Sequence, residues 1–253
     1  MSLFVSLRKE IIQQWRTSRL IIAGAVLIVF GMTSPLLAKF TPQILQMLPG
    51  AEDISALIPE PTLMDAVAQY IKNTAQFGVI LAFLLTMGAI AVEKEKGTAL
   101  MMLVKPLPRS AFVVSKFLAL AFTFILSIAV AGLGAYYYTT LLFEQPAGLP
   151  WLTMNLLLLA NILFYVALTL FFSALMRSQV AALGLSFGTM LVLNLLSISD
   201  KIAVLLPDSL LQWGAQTALG LPGAANWSAL GVTLGLIVLL VSGAWLVFRK
   251  QEL

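Results

Sequence analysis

The stretch from Thr74 to Val92, TAQFGVILAFLLTMGAIAV, is followed at once by Glu93-Lys94-Glu95-Lys96. Its 19 residues carry no charge, and about 18 or more mostly apolar residues are what a helix needs to cross the hydrocarbon core of a bilayer. Charged side chains are strongly unfavourable in hydrocarbon. We therefore expect a membrane-spanning helix here, and we expect the six charged residues from Glu93 to Arg109 to lie in water at the membrane face.

The composition of the whole chain predicts the same class of protein. Hydrophobic residues make up 60% of its 253 residues, charged residues only 10%, and the mean hydropathy is +0.98, whereas a soluble domain carries about 25% charged residues. We interpret the chain as an all-α integral membrane protein with six transmembrane helices. The expected spans are Leu20 to Ala38, Thr74 to Val92, Ala111 to Leu142, Trp151 to Leu175, Val180 to Ile198 and Ala229 to Phe248.

Residues 1–19 precede this membrane domain, which we assign to residues 20–253. In the first segment apolar residues recur at helical spacing, namely Leu3, Phe4, Leu7, Ile11 and Trp15. This pattern predicts an N-terminal interfacial (elbow) helix along the inner leaflet, with its apolar stripe in the membrane and its basic residues toward anionic lipid head groups. It serves either as a plain topological anchor or as an elbow that also contacts a cytosolic subunit.

The distribution of basic residues predicts the orientation, because cytoplasmic loops retain lysine and arginine. Of the 15 basic residues, the three expected on the outer side are Lys39, Lys72 and Lys201. Both termini and the loop of residues 93–110 are therefore expected in the cytoplasm. This topology also accounts for the sequence pI of about 9.4, so no nucleic-acid partner is required.

Two segments are expected on the outer side, residues 39–73 and residues 200–228. In the first, Pro61-Thr62 followed by an apolar pattern from Leu63 to Ile71 predicts a short amphipathic helix. The second is too hydrophobic for a free loop, yet prolines and glycines interrupt it. It fits a re-entrant or interfacial cap over the outer mouth, or a lid that only shields helix ends.

Several kinds of chemistry are missing from the sequence. It contains no histidine and no cysteine, which leaves no catalytic residue, no metal site and no cofactor to assign. The run from Gly184 to Gly188 matches G-x-S-x-G, but no histidine is present to activate Ser186. Gly184 and Gly188 instead form a small-xxx-small pair, typical of close helix packing in a bilayer, either within the chain or along a dimer seam.

The order of elements and the charged loop together resemble the permease subunit of an ABC exporter, of the type-2 permease family. The match covers nearly the whole chain in topology, and Glu93 to Lys116 in motif: an acidic and basic cluster, Gly97-Thr98, an apolar turn, a proline, and a basic residue before the next span. The resemblance implies a protein of the bacterial cytoplasmic (inner) membrane that moves its substrate out of the cytoplasm. The chain itself lacks a G-x-x-x-x-G-K-[ST] loop for ATP.

The resemblance further implies that the permease dimerises, with the same chain or a homologue, and binds two separate ATPase subunits that hold ATP and Mg. A coupling helix in loop 93–110 would dock on the ATPase. The residues expected there are Glu93, Glu95, Gly97, Thr98, Leu100, Met101, Leu103, Pro106 and Arg109. Candidates for the dimer interface or pathway are Gly184, Gly188 and Asn194. Apolar spans without fixed charge favour a hydrophobic or amphipathic substrate.

Two other classes of function remain open from the sequence. A permease-like membrane scaffold or immunity component would bind an ATPase without transporting anything. An intramembrane enzyme would need a buried activating base, and no span carries an acidic or basic residue at its centre.

Overall fold

The structure is a computed structural model that describes residues 3–47, 60–96 and 108–251. Six of its helices are long and apolar enough to cross a membrane. In chain order, the helices of the described residues are α1 (Leu3–Arg16), α2 (Arg19–Gln46), α3 (Leu63–Thr86), α4 (Ala91–Glu95), α5 (Arg109–Leu142), α6 (Gly148–Leu175), α7 (Gln179–Leu196), α8 (Asp200–Ala203), α9 (Ser209–Ala218) and α10 (Trp227–Lys250). The all-α membrane fold expected from the sequence is confirmed.

Helix α6 lies at the centre of the bundle and contacts α3, α4, α5, α7, α9 and α10. Its Trp151 Nε1 donates a hydrogen bond of 3.0 Å to the carbonyl of Gly132 in α5. Its Asn155 accepts a hydrogen bond of 2.6 Å from the hydroxyl of Tyr70 in α3. A hydrogen bond between spans fixes their register, because an unpaired polar group in the membrane interior is unfavourable.

Four of the six spans agree with the expected bounds to within three residues, and α2 and α3 are longer. Helix α3 begins at Leu63, so the short amphipathic helix and the second span form one continuous helix instead of two. Its start is fixed by the Asp65 side chain, whose carboxylate accepts hydrogen bonds of 2.8 Å from both the backbone N–H and the hydroxyl of Thr62. The amphipathic pattern after Thr62 stays in phase with the span, since no proline or glycine intervenes before Gly78.

The segment between α7 and α10 enters the bundle. Asn161, halfway along the 28-residue helix α6, donates a hydrogen bond of 2.8 Å to the carboxylate of Asp208 just before α9. Helix α9 then packs along the first half of α6, where Gly214 lies against Met154. Asp208 belongs to the segment expected to form a re-entrant or interfacial cap or a lid, and its carboxylate lies level with the middle of α6. The amide of Asn161 and the hydroxyl of Tyr165, 3.4 Å away, hold its carboxylate there.

Candidate functional site

The candidate site is the end of the bundle that carries α1, α4 and the last turn of α10, which we call the basic end. At its centre is Lys116, near the start of α5, whose side chain is only 4% exposed. Its Nζ lies 2.7 Å from Glu93 of α4 and 3.3 Å from Glu10 of α1. One buried ammonium group therefore joins three helices.

Glu93 was expected to lie in water with the other charged residues up to Arg109, and for Glu93 the expectation is wrong. The side chain of Glu93 is 12% exposed and that of Glu10 is 8% exposed. At these distances the attraction between the opposite charges offsets the free-energy cost of removing them from water. Glu95 and Lys96, one turn further along the chain, are exposed as expected.

Helix α1 faces the bundle with a polar stripe. Ser6, Glu10 and Gln14 are buried at a spacing of four residues. The hydroxyls of Ser6 and Ser115 share a hydrogen bond of 2.8 Å, and Thr123 donates to the Gln14 side chain. Phe4 and Trp15 are exposed, which suits the expected contact with lipid. The helical periodicity that places the apolar residues on one stripe also places Ser6, Glu10 and Gln14 on a polar one.

A turn from residue 87 to residue 90 separates α3 from α4. The first N–H groups of a helix lack partners within it. Here the hydroxyl of Ser173, near the end of α6, accepts hydrogen bonds of 3.0 Å from the N–H groups of both Ile90 and Ala91. A side chain of the central span thus fixes the point where the second span ends and α4 begins.

Two basic residues bind the free carbonyl groups at the ends of other spans. Lys94 Nζ donates a hydrogen bond of 2.6 Å to the carbonyl of Ala174 in the last turn of α6. The Arg109 guanidinium donates to the carbonyls of Arg249 and Gln251, at 2.5 and 3.3 Å, where α10 ends. Basic side chains at helix C-termini satisfy unpaired carbonyls and complement the helix dipole. The two ends of residues 93–109 are therefore attached to the C-terminal ends of α6 and α10.

The proposed coupling residues fall into two groups. Glu93, Glu95 and Arg109 lie at the basic end, as described above. Gly97, Thr98, Leu100, Met101, Leu103 and Pro106 lie outside the described residues. Their role stays a prediction.

The pathway candidates lie on α7, whose first residue, Gln179, is beside the turn before α4. Gly184 and Asn194 are exposed, and Gly188 is half-buried. A Cβ atom added at Gly184 or Gly188 would meet no described atom within 4 Å. Packing against another described helix therefore does not explain this pair. Ser186 lies on the buried side, where its hydroxyl donates to the Ala182 carbonyl at 2.8 Å.

Six apolar spans, an N-terminal helix bound along the third, and basic side chains that bind the C-terminal ends of α6 and α10 define a polytopic helical membrane domain. The chain belongs to the ABC-2 family of transporter proteins, whose family model matches residues 4–253. It is therefore the membrane component, or permease subunit, of an ABC transporter. It is also similar to an uncharacterized transmembrane protein of Bacillus subtilis (strain 168), YxlG, at 29% identity over 255 residues, which cover 97% of this chain and 96% of that protein.

Proposed function

We propose that this chain is the dimeric permease of an ATP-driven exporter in a bacterial cytoplasmic membrane. Two separate ATPase subunits dock at residues 93–110, hold ATP and Mg, and hydrolyse ATP. The transported molecule is hydrophobic or amphipathic and leaves the cytoplasm. Both termini and the basic end face the cytoplasm.

The observation that carries this proposal is the attachment of residues 93–109 at both ends. Glu93 is ion-paired with Lys116 of α5, and Arg109 binds the carbonyl groups that end α10. A displacement of this segment by a bound subunit would therefore act on several spans together. A loop that only connects two spans has no need of buried ionic contacts, which are costly to form.

The exposed face of α7 supports the dimer and the class of substrate. Only 11% of the most apolar stretch of this span is buried, and its exposed side chains include Val180, Leu185, Phe187, Leu191, Val192 and Leu195. With two open glycines between them, these residues offer a surface on which a second copy can approach closely. A pathway along such a surface suits an apolar or amphipathic molecule.

The docking site is tested by reversing one exposed charge. We expect Glu95→Lys to lower recovery of a soluble ATPase with the chain by roughly tenfold, because a charge facing the partner becomes repulsive. Gly97→Pro, within the same segment, is expected to act in the same direction. Glu144→Lys, also exposed but at the other end of the bundle, is the matched control and should leave recovery unchanged.

In this test the amount of each variant in the membrane is measured alongside, so that loss of the partner is separated from loss of the permease. Full recovery of the ATPase with both Glu95→Lys and Gly97→Pro would contradict docking at residues 93–110.

The orientation is tested with single cysteines, since the chain has none of its own. A cysteine at Glu144 should react with a membrane-impermeant maleimide in intact cells, and one at Lys96 only after the membrane is opened. Both positions are exposed. The reverse pattern would place the basic end outside the cell and contradict the proposal.

A further inference from the structure

The ion cluster of Glu10, Glu93 and Lys116 contains one more carboxylate than it has ammonium groups at its centre. The Lys116 Nζ is 2.7 Å from one oxygen of Glu93 and 3.3 Å from both oxygens of Glu10. The two acidic residues come from different helices, α4 and α1. Lys116 thus has a close partner on the segment that leads into loop 93–110 and a second partner on the N-terminal helix.

The second partner has supports of its own. Glu10 also accepts a hydrogen bond of 3.2 Å from Lys9 at the rim of the cluster. The Lys116 Nζ lies 4.9 Å from the centre of the Phe112 ring, which stacks on Phe248 of α10. A cation above an aromatic face is stabilised by the ring electrons. The pair of Lys116 and Glu10 therefore has a favourable environment that does not depend on α4.

A small cavity adjoins the cluster. It measures about 70 Å³ and is lined by Glu10, Glu93 and Lys116, with Arg19 of α2 and Gly88 of the turn before α4 beside them. This volume accommodates roughly two water molecules. In this cavity the side chains of the cluster have space to change partners. Water in the cavity can also solvate a carboxylate that has left Lys116.

We infer that Lys116 is a positioning residue with two alternating partners. It holds Glu93 when α4 rests on the bundle, and it stays neutralised by Glu10 when α4 moves away. Glu10 thereby lowers the free energy needed to release the coupling segment, since an unpaired buried ammonium group is very unfavourable. This inference rests on the proposed function, because it assigns the movement of α4 to the ATPase cycle.

The test measures the distance between α1 and α4 with spin labels on cysteines placed at Arg8 and Lys96, both exposed. In the purified chain without nucleotide, Glu93→Gln should lengthen and broaden the distance distribution, because Lys116 then binds Glu10 alone. Glu10→Gln should leave the distribution unchanged, because the 2.7 Å pair of Glu93 and Lys116 stays intact. A merely structural cluster would respond to both substitutions alike, and equal shifts would overturn the inference.

The second arm adds the ATPase that co-purifies with the chain, together with ADP and orthovanadate. The reference protein is the spin-labelled chain with Glu10, Glu93 and Lys116 unchanged. With ATPase, ADP and orthovanadate it should adopt the distance seen for Glu93→Gln without nucleotide. Glu10→Gln should keep its resting distance and lower transport by roughly tenfold or more, while still binding the ATPase. If the ATPase binds and hydrolyses ATP but the reference distance does not change, the inference is wrong and the proposed function stands.

Failure of the proposed function has a different signature. In that case no ATPase is recovered with the reference protein, while the nucleotide-free arm still decides whether Lys116 has two alternative partners. The control variant combines Lys116→Met, Glu10→Gln and Glu93→Gln and so removes all three charges of the cluster. It shows which effects come from burying charge and not from the exchange of partners. This variant should fold, and its distance should not respond to nucleotide.

Discussion

Helices α6 and α7 follow each other in the chain and are both apolar spans, yet they have opposite places in the bundle. In α6, 72% of the most apolar stretch is buried, and in α7 only 11%. Helix α6 contacts six other helices, whereas α7 contacts few and leaves Gly184 and Gly188 open. The difference shows that apolar character marks a span without telling which side of it faces protein.

The polar residues of the two helices differ in the same way. On α6, Asn155 pairs with Tyr70, Asn161 with Asp208, and Ser173 with two N–H groups where α4 begins. On α7, the hydroxyl of Ser186 donates to the carbonyl of Ala182, four residues earlier in the same helix. Helix α6 therefore fixes the positions of its neighbours, and α7 is left to present a surface. Matched substitutions on the two helices test this contrast.

The largest contrast is expected between two asparagines. Asn161→Leu removes the amide that donates to Asp208 in the middle of the bundle, and we expect it to destabilise the protein by about 3 kcal/mol, because a carboxylate loses its closest partner. Asn194→Leu on the exposed face of α7 should leave stability unchanged. Thermal unfolding in detergent measures both, and equal effects would contradict the assignment of α6 as the central helix.

An intermediate contrast is expected between two glycines. A Cβ at Gly132 of α5 would lie 2.6 Å from the Asn155 amide oxygen, and Asn155 is held by Tyr70 and by the Trp151 carbonyl. Gly132→Leu should therefore cost about 2 kcal/mol through overpacking. Gly184→Leu meets open space and should keep the stability of the single chain while weakening self-association. Light scattering on the purified protein measures the association, and a dimer unaffected by Gly184→Leu would place the interface elsewhere.

The smallest contrast is expected between two serines. Ser173→Ala leaves the N–H groups of Ile90 and Ala91 without their acceptor, which we expect to cost about 1 kcal/mol. Hydrogen exchange at residues 87–95 should rise as the junction between α3 and α4 loosens. Ser186→Ala on α7 should change stability by no more than about 0.5 kcal/mol, because its hydroxyl only bonds its own helix. Unchanged exchange in Ser173→Ala would show that the cap does not hold the junction.

The six spans could be predicted from the sequence because the cost of burying charge in lipid sets their length and spacing. The start of a helix after Thr62 could be predicted from Pro61-Thr62 and the apolar pattern up to Ile71. Its continuation into the second span could not, because Lys72 and Asn73 interrupt the apolar signal between the two. The fold class followed from composition alone.

The partners of the charged residues could not be predicted. Lys116 is 106 residues from Glu10 and 23 from Glu93, and only the packing of α1 and α4 against α5 brings the three together. Asp208 reaches Asn161 for a similar reason, since α9 enters the bundle along α6. From the sequence alone, a charged residue next to an apolar span is predicted to lie in water. The prediction fails where folding brings a partner from a distant part of the chain.

The most direct test of the account is the composition of the complex isolated with this chain from its native membrane in mild detergent. We expect mass spectrometry to find a soluble protein with a G-x-x-x-x-G-K-[ST] loop, and the intact mass to correspond to two permeases with two such subunits. The contradicting result is recovery of the chain, at its native expression level and with other membrane proteins still bound, but without any such soluble protein. The chain would then not be driven by ATP through residues 93–110.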